Sequence, residues 1–350
     1  MRTRTLALLT VETAVLLLLL EIGTRLVAPP QVDVPHQRVF AQGFYTWYPG
    51  ARFTYHNLPD VDPPAVPIRI NEHGLRGSSF PTAKPPGERR VLVLGDSYTA
   101  AVQLPEEAIF TTLLARRLNE DAPPDVRYRV LNAGFNGAST AHELLYFLAR
   151  GRALAPDVVV LQLCFNDVED NVARGGFRVI DGRLDLDESL RRPPRWRGPL
   201  LALRDAIGNR SLAFYLLYKA AGDAFAGLAS ARAQAAAGAA EAEDLEPGVE
   251  LTRLLAARLV AAANAAGAPV VVLTIPEPIY LAGADRAYDQ VIGGLRDAVA
   301  GTRNRLIVAD PLLLAAERAG RRTYLAADGH LSRDGHELIA TALASAILGP

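Results

Sequence analysis

Five apolar runs alternate with stretches of helical periodicity over residues 90–350: Val91 to Leu94, Tyr128 to Leu131, Val158 to Leu163, Val270 to Ile275 and Leu306 to Ala309. Runs that are mainly apolar, without a regular polar face, describe strands buried on both sides, and parallel strands need crossover segments between them. Helical stretches at Glu106 to Leu118, Ala138 to Arg150, Val249 to Ala266, Asp285 to Ala300 and Arg333 to Leu348 supply those crossovers. The pattern predicts an α/β fold, a doubly wound five-stranded parallel sheet. In such sheets ligands bind beyond the carboxyl ends of the strands, so the residues just after each run are the ones to examine.

A formal net charge of -1 and a pI near 6.6 exclude the strongly basic surface of a nucleic-acid binder. The 350 residues divide into an N-terminal segment 1–27, a leader 28–89 rich in proline and aromatics, and a main domain 90–350. The leader holds strand-like pieces at Phe53-Thr54-Tyr55 and Ile68-Arg69-Ile70. The main domain carries an insertion at about 171–248, far longer than an ordinary loop. It includes the basic run Arg191 to Arg197, an apolar helical stretch around Leu200 to Ala229 and an alanine-rich segment ending in Glu241 to Glu246. It reads as a helical hairpin packed on the sheet, or as a lid or a basic patch for anionic head groups.

The N-terminal segment opens Met1-Arg2-Thr3-Arg4 and continues mainly apolar from Thr5 to about Val27. Its length is near the roughly 20 residues that span a bilayer, and the leading arginines predict a cytoplasmic N-terminus. The expectation is a transmembrane helix, a single-pass inner-membrane anchor that makes the lipid bilayer a partner, with the main domain on the extracytoplasmic side. Glu12 is the residue such a span would bury at a cost. The alternative, a cleaved signal and a secreted or periplasmic protein, meets no small-x-small cleavage site after Leu20. Cys164 is the single cysteine, so no intrachain disulfide forms.

Gly95-Asp96-Ser97-Tyr98 follows the first run directly, which puts a serine at a sharp strand-to-loop turn. Such a serine is a candidate nucleophile, or simply a helix cap. Asn132-Ala133-Gly134-Phe135-Asn136-Gly137 follows the second run and Cys164-Phe165-Asn166-Asp167 the third. Together with the Ser97 N–H, the Gly134 N–H and the Asn166 amide supply donors for a developing oxyanion. Asp328-Gly329-His330-Leu331-Ser332 precedes the last helix, which Ser332 caps. His330 is the candidate base and Asp328 its orienting carboxylate, with Asp310 at the end of the fifth run in reserve. His336 reads as a surface or supporting group, and His36, His56, His73 and His142 as structural. The cluster Asp328, His330, Asp334 and His336 matches no standard zinc spacing, so neither metal nor cofactor is implied.

These blocks resemble the SGNH (GDSL-type) hydrolases: Gly95-Asp96-Ser97, Gly134, Asn166-Asp167 and Asp328-Gly329-His330 stand in the family's order. The resemblance implies a flavodoxin-like sheet, Ser97 as nucleophile, His330 as base, and Ser97 N–H, Gly134 and Asn166 as oxyanion hole. Many members place the acid three residues before the histidine, where this chain has Ala327; alginate O-acetyltransferase-like relatives use the two-residue spacing of Asp328. The segment Asn71-Glu72-His73-Gly74-Leu75-Arg76-Gly77 is similar to one in a membrane-anchored, envelope-facing bacterial subgroup. The function so indicated is hydrolysis of an acyl or acetyl ester of a glycan, lipid or small molecule. O-acyl transfer to a polysaccharide is the close rival, and a non-catalytic binding protein on the same fold is the reading from another class.

Overall fold

The computed structural model describes residues 2–59, 61–120, 122–164, 166–174, 176–237, 246–279, 281, 286–300 and 302–349. Two compact units result, Met1–Gln37 with Pro199–Glu243, and Arg38–Gly198 with Asp244–Pro350.

The second unit is built on a five-stranded, all-parallel sheet of β1 (Glu88–Gly95), β2 (Arg127–Gly134), β3 (Val158–Leu163), β4 (Val270–Thr274) and β5 (Arg305–Val308). The spatial order is β2-β1-β3-β4-β5, the flavodoxin-like arrangement. Because successive residues of a strand face opposite sides, each apolar run feeds two cores. Leu92, Leu94, Val159 and Leu161 pack on one side with Leu255 and Leu259 of the helix Glu246–Ala265. Val91, Val93 and Val160 pack on the other with Leu113 and Leu114 of Phe110–Glu120 and Ile339 and Leu343 of Arg333–Leu348.

Element bounds differ from the sequence expectation where polar residues lie inside elements. The second strand runs on to Gly134 because Asn132 is buried, its Nδ2 donating to Thr99 O at 2.8 Å and to Thr111 at 3.1 Å. The helix expected from Glu106 breaks into a 3₁₀ turn, Glu106–Ala108, and a helix from Phe110, whose N–H donates to His336 Nδ1 at 3.1 Å. His336 is therefore buried, not on the surface, and burial pulls its pKa down to about 3. Asp285, the expected start of the next helix, lies outside the described residues; that helix is seen over Arg286–Val299.

In the leader, Arg52–His56 pairs antiparallel with Ala65–Arg69, which buries Val66 and Ile68 against the sheet core. The Asn71 segment that follows is a side-chain-closed turn: Asn71 Oδ1 accepts from the N–H groups of His73 at 2.9 Å and Leu75 at 3.1 Å. Gly74 takes φ +77°, and a Cβ there would lie 2.7 Å from Trp47 O. The turn sends Arg76 inward, where it is 4% exposed.

The insertion opens with a hairpin, Phe177–Ile180 with Arg183–Leu186. Its basic run is balanced locally, Arg191 pairing with Asp185 at 2.9 Å and Arg192 with Glu188 at 3.6 Å. The end of the alanine-rich segment, 238–245, lies outside the described residues.

The first unit contains the helix Arg2–Val27 and the helix Leu212–Ala237. The expected transmembrane anchor is not supported: among the described residues no helix is long and apolar enough to cross a membrane. The physical reason is the charge that interrupts the apolar run, Glu12, Glu21 and Arg25. Glu21 accepts from Arg25 Nε at 2.6 Å and also caps the start of Leu212–Ala237, taking Ser211 Oγ at 2.8 Å and the N–H groups of Leu212 at 3.0 Å and Ala213 at 3.1 Å. Burial opposes its ionisation, but these donors hold its carboxyl at about 2. The single-pass inner-membrane location, and the bilayer as a partner through this helix, fall with the span.

Candidate active site

β1 lies between β2 and β3, where the winding of the sheet reverses, and in such sheets ligands bind beyond the strand ends at that point. The chain leaves β1 through Gly95, where a Cβ would sit 2.2 Å from Thr99 Oγ1 and 2.4 Å from Gln162 Oε1. Asp96 then caps a single helical turn, Ser97–Ala100, its Oδ1 accepting from Tyr98 N at 2.8 Å. Ser97 stands first in that turn and is half-buried.

Ser97 Oγ and His330 Nε2 lie 2.8 Å apart, and Nδ1 of the same imidazole is hydrogen-bonded to Asp328 Oδ1. The histidine loop is tied down from several sides. Tyr98 Oη donates to Gly329 O at 3.2 Å, Tyr324 Oη donates to Pro276 O at 2.7 Å, and Leu325 N donates to His330 O at 2.8 Å. The Tyr98 ring stands 5.0 Å from the imidazole. Burial alone would raise the Asp328 pKa, but hydrogen bonds from His330 and Gln103 hold the carboxyl below the usual carboxylate range. Asp310 is placed elsewhere: it opens the helix Asp310–Arg318 and accepts from Tyr288 Oη at 3.2 Å.

The sheet register sets Gly134 directly opposite Gly95. The N–H of Gly134 is committed to Asn132 Oδ1 at 3.0 Å, and its carbonyl accepts from Trp47 Nε1 at 2.9 Å. A Cβ at Gly134 would lie 2.2 Å from Ala100 N, so this glycine lets the serine turn settle on β2. Gly137, three residues on, takes φ +72°. Asn166 begins the helix Asn166–Arg174 with its Oδ1 buried and without a protein partner.

Three further side chains hold this region, and none of them is marked as chemistry by the sequence alone. Asp167 Oδ1 accepts from the N–H and hydroxyl of Thr140 at 2.5 and 2.9 Å, and its Oδ2 accepts from Cys164 N at 2.9 Å. Burial, reinforced by Asp96, pushes the Asp167 carboxyl up to about 7. Burial likewise pushes Asp96 up to about 6. Gln103, 4% exposed, points its Nε2 at Asp328 Oδ1, 3.3 Å away. Asp167 stood beside the quoted asparagine; Gln103 carries no local signal.

The remaining titratable groups disperse. Asp334 pairs with Arg321 at 3.2 Å, His336 accepts from Phe110, and burial pulls His142 down to about 4. Among the described residues no three metal-ligating side chains converge. Cys164 is buried, which pushes its thiol well above the ordinary value.

The profile of the GDSL-like lipase/acylhydrolase family matches residues 93–338, well over half of the chain. No curated protein matches it. Among solved structures it is similar to the acetyl xylan esterase AlAXEase, with 16% identity, a TM-score of 0.45, and coverage of 74% of this chain and 100% of that one. It is also similar to TesA, with 18% identity, a TM-score of 0.43 and coverage of 74% and 98%. A lipase/acylhydrolase from Enterococcus faecalis gives 13%, 0.43, and 74% and 95%. With a serine turn at the end of a central strand and a family profile spanning the sheet and the histidine loop, the chain belongs to the GDSL-like lipase/acylhydrolase family and is a carboxylic ester hydrolase.

Proposed function

We propose that Ser97, His330 and Asp328 form a catalytic triad that cleaves an acyl or acetyl ester carried on a glycan or lipid alcohol. The observation that carries the reading is the 2.8 Å contact between Ser97 Oγ and His330 Nε2, with Asp328 on the opposite nitrogen. In this arrangement Nδ1 holds its proton toward Asp328, which leaves Nε2 free to take the Ser97 proton as Oγ attacks the acyl carbon. The imidazolium returns that proton to the leaving alcohol. Water, activated in the same way, then releases the acid and restores the serine.

The oxyanion of each tetrahedral intermediate would be met by the Ser97 N–H, the Asn166 side-chain amide and a backbone N–H of the loop after β2. For the last, Gly137 suits the role better than Gly134, whose N–H is already committed to Asn132. Ser97, Asp328 and His330 are each only half-buried, which supports an opening able to admit an ester on a bulky alcohol.

A fluorophosphonate probe should label the wild-type protein and fail on Ser97→Ala. His330→Ala should lower kcat on a short acyl ester by at least about 10³-fold, with the circular dichroism unchanged. Wild-type turnover in Ser97→Ala would remove the triad. Acyl transfer to an added glycan that outruns hydrolysis would identify the acceptor as a sugar hydroxyl in place of water.

A further inference from the structure

The segment Ala100–Leu104 leaves the serine turn and passes beneath the histidine loop, and the leader grips it almost residue by residue. Arg76 Nη1 donates to the carbonyls of Ala100 at 2.6 Å and Ala101 at 2.5 Å, and its Nη2 donates to that of Leu104 at 2.6 Å. Asn57 Nδ2 donates to the carbonyl of Gln103 at 2.9 Å. Two leader side chains therefore hold four of the five carbonyls of this segment. Ala101 is kept at φ +48°, a left-handed conformation that a residue with a Cβ adopts only under constraint.

The side chain so fixed is that of Gln103. Its Nε2 lies 3.3 Å from Asp328 Oδ1 and 3.1 Å from His330 Nδ1. Nδ1 donates its own proton to Asp328, so the amide N–H has one acceptor there, the carboxylate. Gln103 is buried and Asp328 half-buried, and a hydrogen bond to the charged carboxylate limits its rotation away from the imidazole.

We propose that Gln103 is a positioning residue for the catalytic acid Asp328, held in place by Asn57 and Arg76 of the leader. The leader, which precedes the residues matched by the family profile, is then part of the catalytic apparatus. This rests on the proposed triad, in which Asp328 orients His330. Gln103 touches neither the ester nor the attacking oxygen, so its removal should slow turnover without weakening substrate binding.

The test is a double-mutant cycle on the full chain with a short acyl ester. Gln103→Met should lower kcat by about 10-fold to 100-fold with KM unchanged, the loss expected for one hydrogen bond to a charged group. In an Asp328→Asn background the same substitution should cost less than about 2-fold, because the group it acts through has gone. Asn57→Ala, which leaves the glutamine in place, should lower kcat in the same sense by about 3-fold to 10-fold and lose that effect once Gln103 is Met. Equal losses in both Asp328 backgrounds would show that Gln103 only packs, and would overturn the proposal, as would a Gln103→Met kcat within about 2-fold of wild type. If Gln103→Met does not fold, Asn57→Ala decides alone: it supports the proposal if its loss disappears with Asp328→Asn, and overturns it if kcat is unchanged or the loss persists. Failure of the triad would show differently, as wild-type turnover in Ser97→Ala.

Discussion

At the scale of single residues, placement separates groups that look alike in the sequence. Asp310 follows the fifth strand and Asp328 stands in the loop before the last helix, but only Asp328 reaches His330. Asp328→Asn should lower kcat by about 10³-fold to 10⁴-fold, while Asp310→Asn should stay within about 3-fold, both read by steady-state kinetics on one ester. Gly134 and Gly137 are equally plausible oxyanion glycines as letters, and the difference lies in backbone geometry that no letter carries. Gly134→Ala would drive a methyl into Ala100 N, so it should lower stability by about 1–3 kcal/mol in urea unfolding. Ser97 and His330 were legible because their neighbours punctuate the chain, a glycine after a strand and a cap before a helix. Gln103 was not, since its partner lies 225 residues away.

At the scale of elements, strands buried on both faces were the easiest to read, because burial on two sides leaves no polar alternation. β2 runs past the end of its apolar run at Asn132, where a polar side chain finds internal partners although it resembles a loop residue. The N-terminal helix departs from its expected span for the opposite reason. Hydropathy summed over its length hides what Glu21 does, which is to cap another helix. In the leader, the turn at Asn71–Gly77 delivers Arg76 to three carbonyls, a role its letters do not carry. Arg76→Leu would leave those carbonyls buried and unpartnered, at about 1–3 kcal/mol for each that water cannot reach. The midpoint of urea unfolding should fall accordingly, and more than for Arg69→Leu in the preceding strand, whose guanidinium is exposed.

At the scale of the whole molecule, the buried carboxyls make stability depend on pH in a direction that can be worked out. Asp96 and Asp167 have ordinary values of 3.8, and burial raises them in the fold to about 6 and about 7. Between those values the folded chain binds more protons than the unfolded one, so their contribution is complete below about pH 4 and is lost as pH rises through about 6 and 7. Calorimetric melting should show that loss from about pH 4 to about pH 7, and Asp167→Asn should flatten the slope. The overall architecture was legible because five runs and their crossovers admit few windings; the supports beneath the site were not, because they join distant stretches. That distance has a consequence during synthesis. In the proposed triad Ser97 emerges from the ribosome early, but His330 lies 233 residues later, so no nascent chain that stops short of the histidine loop would hold a working site. An ester hydrolase ordered in this way stays inert until all five strands of its sheet have been made.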